Sequence, residues 1–311
     1  MAIAVAGGYG IGMTMRVASA PAAGETVTGA VLAIGHGGKG SNQAVAAARL
    51  GASVALFTAV GQDESGRTAR QLWAAEGVDA TAVIELPGAT MTGFIIVDGS
   101  GENRITIAPG VLEDIQRDDA ELFRSKVRAA DVLLVSLEIP LEVAAALLRI
   151  AREEGTTTVL NPAPAANISI DVWSLVDVVT PNYSEAMTIL GSGSIGVSVA
   201  EVARRLQRKT LSTVVLTNGH HGVIVDDGKD HFVVDAVTAQ MVRDTTGAGD
   251  AFSAAFVVAM AEGRPLRDAV EFAAAAGAFT VSTDGVIPAL ATRIELEDFM
   301  RTTNDKRRGI Q

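Results

Sequence analysis

Short apolar segments alternate with helical patterns along most of this chain, and this alternation most constrains its fold. The segments "SVALFTAVG", "DVLLVSLE" and "STVVLTNG" are apolar at most positions, and each adjoins a helical pattern such as "PLEVAAALLRIAREEG". Strands that are apolar on both faces are typical of parallel sheets covered by helices on each side. The sequence therefore predicts an α/β fold with a central, mostly parallel sheet and helices on both of its faces.

Two segments depart from this alternation. Residues 14–35 and 90–108 contain alternating strand patterns with Gly, Asp and Asn turns, and the second turns at "DGSGEN". We expect them to form a small β-sheet lid beside the α/β core. The core then comprises residues 1–13, 36–89 and 109–300, and the polar residues 301–311 are expected to form a flexible tail.

Composition excludes several classes of function. A net charge of -11 and an aromatic content of 4% disfavour nucleic acids and anionic membranes as partners. The absence of cysteine excludes disulfides and thiolate metal sites, and it is compatible with the cytoplasm. The apolar start has no basic residues before it and is broken by glycines, so it predicts a first strand and not a signal peptide or membrane span.

Two glycine clusters fail the tests for common nucleotide loops. In "AGGYGIGM" a G-x-G-x-x-G motif beginning at Gly8 would need glycine where Met13 stands, so a dinucleotide site is not predicted. In "GHGGKGSNQ" Lys39 is followed by Gly40 and not by the Ser or Thr of a P-loop. The second cluster still opens into a helix and remains either a polar-ligand site or a turn with a solvated lysine.

The segment "DTTGAGDAFSAAF" has a more specific pattern. Gly247 and Gly249 allow backbone amides to converge where a helix begins, which is a typical anion site. Asp250 lies in the first helical turn, where a carboxylate is either a capping group or a general base. A base beside an anion hole suits phosphoryl transfer.

Taken together, these motifs resemble the ribokinase (PfkB) family of carbohydrate kinases. "GGKGSNQAVAAARLGA" and "DTTGAGDAF" are similar to its two signatures, with "SLEIPLE", "NPAPA", "TPNYSEAMTILG" and "LTNGHHGV" between them in the family's order. The resemblance spans about residues 3–300. It implies a kinase that uses ATP and Mg²⁺ to phosphorylate a primary hydroxyl of a small sugar, with ribose as the default acceptor.

The resemblance also implies roles for individual residues. Asp250 would be the catalytic base, and the amides of Gly247, Ala248 and Gly249 would form the anion hole. The acceptor positions are Gly10, Gly12, Gly38, Lys39, Asn42, Glu138 and Asp250. The ATP positions are Asn182, Thr217, Gly219, Gly222, Gly249 and Ala274.

Two cation sites follow from the same resemblance. Glu185, in the N-x-x-E motif with Asn182, would organise Mg²⁺ through water. A K⁺ activation site would comprise Asp244, Thr246, Thr280, Thr283 and Gly285. Ala289 stands where the family pattern has a serine, so one oxygen ligand of the K⁺ site is absent.

The acceptor remains open because Gly10 and Gly12 occupy the family's asparagine and aspartate positions in the sugar site. The alternatives are another pentose, a ketose, a polyol, a nucleoside or an acidic sugar. Arg16 and Arg104, in the lid segments, either meet an anionic substrate or are solvated. A binding protein without catalysis is a further alternative, although it has no need of Asp250. Lids of this family often pair, so a homodimer is expected.

Overall fold

A computed structural model describes residues 1–100, 102–191, 196–239 and 241–307. The strands are β1 (Ala2–Ala6), β2 (Gly10–Arg16), β3 (Val31–Gly37), β4 (Ser53–Phe57), β5 (Ala59–Gly61), β6 (Ile84–Leu86), β7 (Met91–Val97), β8 (Asn103–Ala108), β9 (Val132–Ser136), β10 (Thr157–Asn161), β11 (Val178–Val179), β12 (Thr213–Thr217), β13 (Val223–Asp226) and β14 (His231–Val234). The α-helices are α1 (Lys39–Arg49), α2 (Glu64–Ala75), α3 (Arg124–Ala129), α4 (Leu141–Glu154), α5 (Ile170–Trp173), α6 (Tyr183–Leu190), α7 (Val199–Thr210), α8 (Ala248–Ala261), α9 (Leu266–Thr280), α10 (Val286–Ala289) and α11 (Arg293–Arg307).

Within the described residues the largest sheet has eight strands, in the order β14-β13-β12-β11-β10-β9-β1-β4. The strands from β12 to β4 pair in parallel, whereas β13 and β14 pair antiparallel at one edge. Neighbouring side chains of β9 pack in the two hydrophobic cores on opposite faces of the sheet. Leu134 lies in one core, and Leu133 and Val135 lie in the other. The predicted α/β fold is confirmed.

The lid is a separate four-stranded sheet in the order β3-β2-β7-β8. It begins at Gly10 and not at the expected residue 14, and its second strand continues to Gly37. The reason is that the pairing of β2 with β3 extends from Arg16↔Val31 back to Gly10↔Gly37. The glycines of the opening segment therefore lie in a lid strand and not in a loop.

The lid consists of two insertions into the core. In each one, the backbone before the insertion contacts the backbone after it, and we call each such contact a crossing. At the first crossing, the Ser41 amide donates to the carbonyl oxygen of Gly8 at 3.0 Å, and a Cβ on Gly40 would lie 2.5 Å from the carbonyl carbon of Gly7. At the second crossing, the Val111 amide donates to the carbonyl oxygen of Ala89, also at 3.0 Å. Each lid insertion thus starts and ends at one point of the core.

The carboxyl-terminal segment differs from the expected tail. Helix α11 continues through Arg307, and residues 308–311 lie outside the described residues. Phe299 packs edge-on against Phe279, and Met300 also contacts the main core. These apolar contacts extend the helix into a polar segment.

No helix among the described residues has both the length and the apolar character needed to cross a bilayer.

Candidate active site

A cavity of about 280 Å³ lies at the carboxyl ends of the parallel strands, where the loops after β10, β11 and β12 meet the start of α8. Ligands of open α/β sheets bind at this edge. Of the predicted residues, the cavity brings together Lys39, Asn182, Glu185, Thr217, Thr246, Gly247, Gly249 and Asp250. It is also lined by Asn161, Ala163, Thr180, Thr245, Phe252 and Ser253, which sequence reasoning did not single out.

Asp250 lies in the first turn of α8 and is 6% exposed. Its Oδ2 accepts from Asn42 Nδ2 at 2.9 Å, and its Oδ1 accepts from Gln43 Nε2 at 3.1 Å. Burial raises the pKa of Asp250, although Lys39 and the two amide donors act in the opposite direction. Asn42, an expected acceptor contact, thus uses its amide nitrogen to hold Asp250.

Lys39 is the cation of this site. Burial alone would lower its pKa, but the carboxylates of Asp250, Glu138 and Glu185 outweigh burial, and the pKa of Lys39 is raised. Its backbone amide donates to Glu138 Oε2 at 2.6 Å. Burial also raises the pKa of Glu138, to about 7. Three carboxylates therefore surround one ammonium group.

Asn182 and Glu185 form a reciprocal cap at the start of α6. The Asn182 amide donates to Glu185 Oε2 and the Glu185 amide donates to Asn182 Oδ1, both at 2.8 Å. Burial raises the pKa of Glu185, and the charge of Asp250 adds to this effect.

A divalent cation bound beside Glu185 would offset the negative charge of Glu185 and Asp250. The described residues contain no cluster of three or more His, Cys, Asp or Glu side chains that could hold a metal. A Mg²⁺ ion here would therefore need water and phosphate oxygens as further ligands, which is its usual preference.

The start of α8 requires glycine at position 247. Gly247 has φ of 82°, and a Cβ there would lie 2.7 Å from Val286 Cγ1. The Ala248 amide donates to the carbonyl oxygen of Thr245 at 3.3 Å, so this member of the expected anion hole is partly engaged in a turn. The amides of Gly249 and Asp250 belong to the first helical turn, whose N–H groups have no partner within the helix.

Asp244 joins two segments of the expected K⁺ site. Its Oδ1 accepts from the Thr246 amide at 2.9 Å and its Oδ2 accepts from the Gly285 amide at 3.2 Å. Burial would raise the pKa of Asp244, but these bonds and the charge of Arg16 lower it. The carbonyl oxygen of Thr280, at the end of α9, accepts from the Thr283 amide at 3.4 Å. A carboxylate and a helix C-terminus suit a cation.

Three expected ATP positions lie outside the cavity lining: Gly219, Gly222 and Ala274. Gly222 must be glycine for conformational reasons, because its φ is 87° and a Cβ there would lie 2.3 Å from the carbonyl oxygen of Val234. Ala274 lies on α9 and packs against the main core.

One face of the lid carries glycines in register on three strands. Gly12 pairs with Gly35 on β3 and with Gly93 on β7, and Gly10 pairs with Gly37 in the preceding row. A Cβ at Gly12 would have no neighbour closer than 3.7 Å, and none at Gly35 within 4 Å. We call the surface formed by Gly10, Gly12, Gly35, Gly37 and Gly93 the glycine face.

The glycine face lies on the side of β2 that faces away from the Ile11 side chain. Ile11 packs into the core together with Tyr9, so strand alternation places Gly10 and Gly12 on the opposite side. Gly8, which precedes β2, lies beside the acceptor carboxylate, since a Cβ there would be 2.6 Å from Glu138 Oε2. Arg16 shares this face, and its charge reaches Asp244.

Arg104 differs from Arg16 in having acidic neighbours. Its guanidinium lies 3.6 Å from Asp98 Oδ2 and 3.9 Å from Glu102 Oε2. The side chains of Arg104 and Glu102 are exposed, whereas that of Asp98 is 13% exposed.

Gln43 bonds directly to Asp250 and is another residue that the sequence reasoning overlooked. It is fully buried on α1, and its Nε2 donates to Asn161 Oδ1 as well as to Asp250. A glutamine on the buried side of a glycine-flanked helix is the only sequence signal for it.

Comparisons with known proteins show the family to which this chain is similar. A family model described as pfkB family carbohydrate kinase matches residues 9–293. A ribokinase of Haemophilus influenzae is 38% identical over 280 residues, which cover 89% of this chain and 91% of the relative. The crystal structure of a ribokinase from Thermotoga maritima has a TM-score of 0.87 at 28% identity, covering 97% of this chain and 99% of that one. An Arabidopsis thaliana ribokinase complexed with ribose and ATP has the same TM-score and coverage at 26% identity.

Proposed function

The chain belongs to the pfkB family of carbohydrate kinases and is an ATP-dependent sugar kinase, and we propose that it phosphorylates a primary hydroxyl, with ribose as the default acceptor. The observation that carries this proposal is the buried carboxylate of Asp250, held at the start of α8 beside Lys39. A protein that only binds sugar has no need of a buried base at a helix N-terminus.

In the proposed reaction Asp250 accepts the proton of the acceptor hydroxyl. The hydroxyl oxygen then forms a bond to the γ-phosphorus of ATP while the bond between that phosphorus and the β–γ bridging oxygen breaks, and ADP leaves. The amides at the start of α8 and the ammonium of Lys39 stabilise negative charge on the transferred group. The lid excludes water from this step, which limits hydrolysis of ATP.

Two cations complete the proposal. Glu185, with Asn182, would hold Mg²⁺ beside the phosphates, and the ion supplies charge neutralisation there. Asp244 and the carbonyls of Thr246, Thr280, Thr283 and Gly285 would hold K⁺. The fit of the K⁺ site is incomplete because Ala289 is buried and offers no side-chain oxygen.

The test is a coupled assay of ADP release with a panel of pentoses, ketohexoses, polyols and nucleosides. We expect ribose to give the highest kcat/KM, EDTA to abolish turnover, and K⁺ to increase it relative to Na⁺. Ribose turnover no better than that of the other acceptors would overturn the default acceptor, and absence of ADP release with every acceptor would overturn the kinase assignment.

The glycine face favours a second candidate function, which is phosphorylation of a different and larger acceptor. Gly12, Gly35 and Gly93 leave open space on this face of the lid and offer ribose no side-chain hydrogen-bond partner there. A side chain at Gly12 fits, so Gly12→Asp should lower the KM for ribose at least tenfold, the effect of one charged hydrogen bond of about 1.5–3 kcal/mol. The matched control is Gly12→Val, which fills the space without an acceptor atom. An equal effect of both variants would contradict the hydrogen-bond explanation.

We also propose a homodimer formed through the lid. Leu32, Ile34 and Phe94 are exposed on the face opposite the glycine face, at 55%, 60% and 43%. Exposed apolar patches of this kind are typical of interaction sites. Phe94→Glu should convert a dimer to a monomer in light scattering, and a wild-type monomer would refute the proposal. A cytoplasmic location remains a prediction from the sequence.

A further inference from the structure

Buried amides hold both oxygens of Asp250. Asn42 and Gln43 are neighbours on α1, and each donates one N–H to a different carboxylate oxygen. Both side chains are buried, and the carbonyl oxygens of both amides lack a hydrogen-bond partner among the described residues. Buried polar atoms are rarely left unpaired, and the exceptions call for an explanation. Here the amides are oriented for the carboxylate at the expense of their own oxygens.

The orientation of Gln43 is set by a chain of hydrogen bonds that begins at a backbone carbonyl. The carbonyl oxygen of Thr180 only accepts, so Asn161 must turn its Nδ2 toward it, at 2.9 Å. Asn161 Oδ1 then faces Gln43 and accepts from Gln43 Nε2 at 3.1 Å. The same nitrogen therefore points at Asp250 Oδ1. Each link determines the next.

We propose that Gln43 is a positioning residue for the catalytic base Asp250, and that the Thr180 carbonyl sets its orientation through Asn161. This inference rests on the proposed function, in which Asp250 is the base. With one N–H on each oxygen, the plane of the carboxylate is fixed and each oxygen keeps a lone pair for the acceptor proton. Thr180 is two residues before Asn182, so the chain connects the base to the loop that leads into the N-x-x-E motif.

The charged groups around Asp250 come from three further elements. Lys39 lies at the start of α1, Glu138 follows β9, and Glu185 is in the first turn of α6. Gln43 carries no charge, so its removal changes one hydrogen bond to Asp250 and leaves this set of charges intact. The effect of Gln43 on the base is therefore measurable as a change in the acid limb of the pH profile.

The test compares pH profiles of kcat for the wild type and Gln43→Met, which keeps the length of the side chain and removes its N–H. Loss of a hydrogen bond to the ionised form raises the pKa of the base. We expect the acid limb to move up by about one pH unit, so that kcat at a fixed pH on that limb falls about tenfold. The KM values for ribose and ATP should stay within about twofold.

A second variant and a control make the outcome decisive. Asn161→Ala releases Gln43 without removing its N–H, so we expect a smaller shift in the same direction, and this variant carries the test if Gln43→Met does not fold. Ser212→Ala is the control, because it removes a buried hydroxyl that donates to the carbonyl of Val176, away from the cavity. An unchanged acid limb in both Gln43→Met and Asn161→Ala overturns the proposal. Turnover that survives in Asp250→Asn overturns the base assignment instead, and so the two failures are distinguishable.

Discussion

Replacement of Asp250 by asparagine tests the centre of the proposed mechanism. The carboxylate accepts one N–H on each oxygen, from Asn42 and from Gln43. An amide at position 250 has one oxygen and one NH2 group, so one of these donors would face another donor. The lost buried hydrogen bond costs about 1–3 kcal/mol. The substitution also removes a buried charge, which offsets part of that cost. We therefore expect the free energy of unfolding to change by less than about 2 kcal/mol.

The effect on catalysis should be much larger than the effect on folding. A general base contributes about 10²–10⁴-fold to the rate, and the amide of asparagine cannot accept the hydroxyl proton. We expect kcat for ADP release with ribose and ATP to fall by that factor, while calorimetric affinities for ribose and ATP change less than about tenfold. The matched control is Asp226→Asn, since Asp226 is similarly buried but lies at the end of β13. Turnover within tenfold of the wild type in Asp250→Asn would refute the role of this carboxylate as the base.

Three further predictions address other parts of the molecule. Gly247→Ala should reduce kcat at least tenfold and lower the melting temperature, because φ of 82° is strained for alanine and its Cβ would clash with Val286. Wild-type activity in this variant would show that catalysis does not require this conformation at the start of α8. The raised pKa of Glu138, about 7, predicts that the ligand-free protein loses stability as pH rises from about 4.5 to 7, since the folded state binds more protons in that range. In Glu138→Gln, the free energy of unfolding measured by chemical denaturation should depend less steeply on pH. An equal dependence on pH in the variant and the wild type would contradict the assignment. Arg104→Ala should leave every KM unchanged and alter stability by less than about 1 kcal/mol, because the Arg104 side chain is exposed to solvent. A raised KM would instead support an anionic acceptor.

Much of the fold follows from the sequence because its determinants are local. The apolar runs predict the parallel strands, and Gly155 ends α4 in the left-handed conformation that such a glycine favours. The position of Asp250 at a helix start follows from the glycines that precede it. The resemblance implies that Lys39 and Asp250 both contact the acceptor, whereas the sequence alone does not bring the two segments together.

The remaining features depend on contacts between distant segments. Gln43 and Asp250 are 207 positions apart, and nothing in either segment specifies which donor meets which oxygen. The glycine face likewise requires the register of β2 against β3 and β7, which is fixed only when the strands pair. The continuation of α11 depends on the packing of Phe299 against Phe279. The sequence predicts elements and motifs well, but it does not predict pairings between them.

The two points at which the lid leaves the core have a consequence for how the lid can be altered. Each insertion returns to its point of departure, as the contacts of Gly8 with Ser41 and of Ala89 with Val111 show. A segment with adjacent ends is a cassette: it can be lengthened, recombined or transplanted while the order and spacing of the core strands stay the same. The carboxylate at the start of α8 lies outside both cassettes. A lid of different length or sequence can therefore be joined to this core while the position of Asp250 at the start of α8 stays the same.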